Sequence, residues 1–154
     1  MIEAGAADFA RRFADYWRAP TPEGLRTLLA EDVRLVAPIT PTTEGLTAGT
    51  AVFARLLRLI PDLSAEVHRW GPTSDGVLIE FTTSGTLGGP VGWSAVDRFV
   101  LGEDGLATER VSYFDAGPLI RSLARRPRAW PRFFRARTGG RRRPGRPDQS
   151  SRPT

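Results

Sequence analysis

The sequence predicts an α+β domain: a curved antiparallel sheet packed against N-terminal helices, with a pocket in the hollow between them. Three observations predict it. Apolar residues recur at helical spacing over residues 3–17 and 50–60. Hairpin-linked alternating segments then fill residues 63–114, and runs of helices followed by runs of strands belong to the α+β class. Two strands around Gly102-Glu103-Asp104-Gly105 put a carboxylate and a guanidinium on an otherwise apolar face.

Taken in order, Ala6, Phe9, Phe13, Tyr16 and Trp17 form a stripe on a first helix, which Pro20 and Pro22 end. Thr21 caps a second helix that has Pro22 at its first position and runs to about Ala30, burying Leu25, Leu28 and Leu29. A strand follows from Val33 to Pro38, with Val33, Leu35 and Ala37 on one face, and residues 38–45 read as loop. Gly49-Thr50 open a third helix that Pro61 stops. Residues 63–70 and 77–86 are strands. Residues 117–124 return to helical spacing, and Asp115 stands where it caps that helix.

The hairpin of residues 91–114 carries the chemistry. Val91, Trp93, Ala95, Asp97, Phe99 and Leu101 share one face, with Leu106, Thr108, Arg110, Ser112 and Phe114 on the partner strand. With Gly102 to Gly105 as the turn, Trp93 is expected opposite Phe114, Ala95 opposite Ser112 and Asp97 opposite Arg110. Arg98 faces Glu109 on the other side. A charge in an apolar setting is costly unless paired or used. Asp97 is therefore the candidate acid/base and Arg110 its partner, with a structural ion pair as the alternative. The other face, with Val96, Val100, Val111 and Tyr113, is apolar enough to predict a homodimer through the sheet.

Composition excludes several classes. There is no cysteine and one histidine, His68, so disulfides and multi-histidine metal sites are out, and no metal or cofactor is expected. No apolar run is long enough to span a bilayer, and residues 1–13 lack the pattern of a secretory signal, so a cytoplasmic protein is expected. The net charge of +5 is split. Residues 1–120 hold 10 arginines against 16 acidic residues, and residues 121–154 hold 12 arginines against Asp148. The predicted organisation is a domain over residues 1–125 and a largely disordered Arg/Pro-rich tail over 126–154. The tail's mix of arginine with Trp130, Phe133 and Phe134 suits an acidic partner, nucleic acid or anionic lipid. His68 and Glu80 are further candidates for the pocket.

Arg12-Phe13, Gly24-Leu25, the run Leu29 to Val33, Ala37-Pro38, Gly49-Thr50, Val96 to Phe99, Gly105-Leu106 and Tyr113 to Asp115 together resemble SnoaL-like proteins of the nuclear transport factor 2-like superfamily. That superfamily includes ketosteroid isomerases, limonene epoxide hydrolases and polyketide cyclases. The resemblance covers about residues 5–125 and implies a cofactor-independent isomerase, cyclase or hydrolase acting on an apolar polyketide- or steroid-like molecule. In ketosteroid isomerases the general base stands where this chain has Ala37, and the oxyanion-hole Tyr where it has Phe13; their second Asp corresponds to Asp97. The epoxide-hydrolase positions read Phe81, Thr83 and Ser112. The resemblance thus leaves Asp97 with Arg110 for catalysis, and Phe13, Tyr16, Ala37, Trp93, Ser112 and Phe114 for binding a small apolar ligand. The alternative is a non-catalytic ligand-binding or assembly module of the same fold.

Overall fold

In the computed structural model, residues 2–124 are described. The element order is α1 (Ile2–Arg18), a 3-10 turn (Glu23–Thr27), β1 (Leu29–Ala37), β2 (Thr40–Glu44), α2 (Leu46–Leu59), β3 (Ser64–Pro72), β4 (Gly76–Thr86), β5 (Pro90–Leu101), β6 (Ala107–Phe114) and α3 (Gly117–Ala124). The strands form one sheet in the order β2-β1-β6-β5-β4-β3. The expected α+β class holds, with helices on one face of the sheet. The proposed tail, residues 126–154, lies outside the described residues.

The core is an aromatic column. Phe9, Phe13 and Trp17 recur every four residues on α1 and are all buried. They meet Phe99 and Phe81 from the sheet and Phe53 from α2, with Phe9–Phe99 at 4.8 Å, Phe13–Phe81 at 5.3 Å and Trp17–Phe53 at 5.5 Å between ring centroids. Tilted and edge-on rings add about 0.5–1.5 kcal/mol per pair beyond burial.

Four expectations need correction. The second helix is only a 3-10 turn with Pro22 as its N-cap, although the Thr21 hydroxyl does accept from the Gly24 N–H at 3.1 Å. Leu29 and Ala30 leave it because β6 claims them: the Ala107 N–H donates to the Leu28 carbonyl at 2.8 Å, and Leu29 pairs with Ala107. Residues 38–45 are not all loop, since Thr40–Glu44 pairs antiparallel with β1. Pro41 is tolerated there because β2 is an edge strand. The sheet is mixed, because β1 and β6 run parallel. Helix α2 begins at Leu46, so Gly49 lies inside it, buried, where a Cβ would stand 2.7 Å from the Leu35 side chain.

The register of the β5–β6 hairpin is shifted by two residues from the expected one. Asp97 pairs with Ser112, Phe99 with Arg110 and Ala95 with Phe114. Gly105 adopts φ +75° and closes the turn onto the Gly102 carbonyl, and a bulge between Val100 and Leu101 adds the remaining offset. A two-residue shift keeps every side chain on its face. Both expected ion pairs therefore form, as diagonals rather than as directly opposed residues.

Arg12 ties three elements together. Its guanidinium donates to the Thr27 carbonyl at 2.5 Å and the Gly105 carbonyl at 2.7 Å, while Nε bonds Asp8 at 2.8 Å. Arg12→Ala is expected to cost about 1–2 kcal/mol in chemical denaturation. A loss within error would show that water replaces these bonds.

At the other end of the sheet, the Asp62 carboxylate accepts from the Thr86 N–H at 2.8 Å and its hydroxyl at 2.7 Å. These bonds, the hydroxyl's foremost, hold the Asp62 carboxyl below its ordinary value of 3.8. A depressed folded value contributes stability above 3.8 that disappears as pH falls through the folded value. The melting-temperature gap between wild type and Asp62→Asn should be constant from neutral pH down to about 4 and close below it. A gap that widens on acidification would contradict this.

Candidate functional site

The inner face of the sheet divides in two. Under α1 it is solid core: Val77, Ile79, Phe81 and Phe99 are at most 1% exposed. Toward β6 and β1 the side chains of Leu35, Ala37, Trp93, Arg110 and Phe114 are only half-buried. Asp97 stands at the boundary, with Ile79 as its neighbour on β4 and Ser112 on β6. It is 0% exposed and the only buried charged residue among the described ones.

Asp97 accepts from Arg110 Nε through Oδ2 at 2.5 Å. Its other oxygen, Oδ1, is buried without a hydrogen-bond partner. The Arg110 side chain is 26% exposed, whereas that of Asp97 is fully buried. Asp97, the candidate acid/base, is thus sealed from solvent. The cause is burial of Asp97 between Ala95 and Phe99 on its own strand, both of them buried.

The other predicted residues fall into two sets. Trp93 and Phe114 come together, with ring centroids 6.2 Å apart, and Thr83 holds the Trp93 carbonyl at 3.0 Å. Ser112 is 6% exposed beside Asp97, and Ala37 ends β1 against Thr40. Phe13 belongs to the aromatic column under α1. Tyr16 donates its hydroxyl to the Thr21 carbonyl at 2.7 Å. Burial pushes the Tyr16 hydroxyl above its ordinary value of 10; the Arg110 charge opposes that rise and Glu23 adds to it. Tyr16 therefore stays protonated at neutral pH and lies within the field of Arg110. Leu35, missed in the sequence, is the β1 neighbour of Arg110. Only the parallel β1–β6 pairing reveals it.

His68 and Glu80 are not on this face. His68 Nε2 bonds Thr82 Oγ1 at 2.8 Å, and Glu80 pairs with Arg69 at 2.9 Å, both on the outer side of the sheet. That side also carries the chain Arg34–Glu109–Arg98–Asp75, with both Arg–Glu109 contacts at 3.0 Å. Asp115 stands one residue before the cap position expected for it, which Ala116 holds, and accepts from the Gly117 N–H at 2.8 Å. A hollow of about 330 Å³ is lined by Leu59, Pro61, Asp62, Thr86, Leu87 and Gly88. It contains none of the candidate residues: Thr86 is about 23 Å along β4 from Ile79, the neighbour of Asp97. Among the described residues no three His, Asp or Glu side chains are grouped to hold a metal, and no helix is long and apolar enough to cross a membrane.

The SnoaL-like domain family matches residues 10–110, about two thirds of the chain. The chain belongs to the SnoaL-like family. No curated protein matches it in sequence. Among solved structures, this SnoaL-like protein is similar to one from Jannaschia sp. CCS1 assigned as a SnoaL-like polyketide cyclase, at 21% identity and TM-score 0.68, covering 80% of this chain and 92% of that one. It is similar to an LEH-like epoxide hydrolase of M. tuberculosis, at 19% identity and TM-score 0.66, covering 83% and 96%. A SnoaL-like protein of unknown function from Burkholderia thailandensis E264 matches at 22% identity and TM-score 0.63, covering 73% and 95%. At such identities the likeness speaks for the fold, which hosts several chemistries.

Proposed function

We propose that this SnoaL-like protein is a cofactor-independent enzyme of the isomerase or cyclase type, acting on an apolar polyketide- or steroid-like molecule seated against the half-buried side of the inner face. The observation that supports it is the Asp97–Arg110 pair, a sealed carboxylate that holds a partly exposed arginine side chain by one nitrogen. Enolisation places negative charge on a carbonyl oxygen, and a fixed guanidinium in a poorly hydrated site stabilises that charge. Asp97 is the acid/base group: Oδ2 is committed to Arg110 and Oδ1 to nothing, so a proton on Oδ1 breaks no existing bond.

The second reading is a binding module of the same fold. It is favoured by the seal over Oδ1, which a substrate has to displace, and by Ala37 and Phe13 at the positions of the isomerase base and tyrosine. Exchange of α-protons of cyclic ketones in D2O, followed by NMR, separates the two. Exchange above the buffer rate that falls in Asp97→Asn supports the enzyme. Binding without exchange supports the module. Neither binding nor exchange across steroid-like and polyketide-like ketones overturns both. The partners proposed with this reading are the small apolar ligand and a second copy across the outer face, where Leu78 and Tyr113 are exposed. A monomeric mass by light scattering at micromolar concentration removes the second copy.

A further inference from the structure

Among the described residues Arg110 commits one nitrogen to a partner. Nε donates to Asp97, and among the described residues no acceptor meets Nη1 or Nη2. The fully buried carboxylate restrains the planar group, so its outer edge keeps a fixed direction. That edge is a fork of parallel N–H donors, which matches two oxygens lying in one plane. A lone carbonyl would satisfy part of the fork and displace water from the rest, leaving donors unmet.

Charge narrows the ligand further. Asp97 already neutralises Arg110, and on the outer face Arg34, Arg69 and Arg98 are engaged by Glu109, Glu80 and Asp75. Among the described residues a dianion such as phosphate meets no second cation here, whereas one negative charge spread over two oxygens makes the weakest demand. Size and shape come from the face itself. Four residues on from Arg110 stands Phe114, about 13 Å along the strand, with Trp93 beside it at 6.2 Å. These rings offer flat apolar surface to a conjugated body.

We propose that Arg110 anchors an anionic ligand through two coplanar oxygens sharing one negative charge, a carboxylate or an ionised 1,3-dicarbonyl, on an apolar conjugated body that extends along β6 toward Trp93 and Phe114. This names the ligand class of the inner-face site and rests on that reading.

The test is calorimetry on the full chain at neutral pH with matched probes: 2-naphthoate for the carboxylate, the 2-acetylindane-1,3-dione anion for the dicarbonyl, and 2-naphthamide as the neutral control. Wild type should bind at least one anion more tightly than the amide by about tenfold or more, the worth of one charge-assisted hydrogen bond. Which anion wins identifies the source of the two oxygens. Arg110→Lys, which keeps a cation beside Asp97 but loses the fork, should lose most of that preference. The double variant Asp97→Asn with Arg110→Gln, which leaves no buried charge, should lose all of it.

Equal binding of amide and anions overturns the proposal, as does no binding of any probe at millimolar concentration. The arginines of residues 121–154 are intact in both variants, so an anion preference that survives them belongs to those residues and also overturns it. Failure of the catalytic reading looks different. Anion preference without α-proton exchange keeps the anchor and removes the enzyme, while ketone exchange without anion preference does the reverse.

Discussion

Arg110→Met is expected to destabilise the protein by about 3–5 kcal/mol in equilibrium urea denaturation, the cost of stranding a buried charge. Asp97 is 0% exposed, and among the described residues Arg110 is its only hydrogen-bond partner, through Oδ2. With that partner gone the carboxylate has neither water nor a cation. The reverse substitution is milder, because the Arg110 side chain is 26% exposed and keeps its water. Asp97→Asn should therefore cost only about 1–2 kcal/mol. A double variant, Asp97→Leu with Arg110→Met, should be more stable than Arg110→Met alone, since apolar side chains tolerate the site once both charges are removed. Equal costs for the two single variants would mean that Asp97 is wetter than its burial indicates.

Phe99→Ala is expected to cost about 3–5 kcal/mol by the same measurement, from lost burial and the cavity it leaves. Phe99 is 1% exposed, and its ring lies 4.8 Å from Phe9 and 5.5 Å from Phe13. It links the column on α1 to the sheet, and Arg110 is its neighbour on β6. Phe99→Leu refills much of the volume and should cost less than about 1.5 kcal/mol. A loss below about 2 kcal/mol for the alanine variant would show that α1 settles into the gap.

Much of this arrangement is legible in the residue pattern alone. The apolar stripe of Phe9, Phe13 and Trp17 specifies α1 and its buried face, because a helical period leaves few other solutions. The break at Pro61 and the glycines around residues 88 and 102–105 mark the order of the later elements. Asp97 and Arg110 are recognisable as charges on an apolar face. The features that the pattern misses are local in appearance and tertiary in cause. Leu29 and Ala30 fit a helix until Ala107 pairs with Leu29. Thr40 to Glu44 fit a loop until β1 offers its edge. His68 and Glu80 suit a pocket by residue type, yet Glu80 alternates with the buried Ile79 and Phe81, and His68 follows Val67, which pairs with Phe81, so both face outward.

The sequence by itself determined which residues of the central hairpin share a face. Alternation has a period of two, and the two-residue register shift could not disturb it. It thereby determined that a carboxylate, a guanidinium and a hydroxyl stand among apolar side chains. The tertiary structure decided which of them meets solvent. The turn at Gly105 and the bulge after Val100 set Asp97 beside Ser112 rather than Arg110, and the packed residues around Asp97 sealed its free oxygen. Arg110, with the longer side chain, kept 26% of it exposed. Exposure is a property of everything packed around a residue, so the pattern along one strand does not contain it.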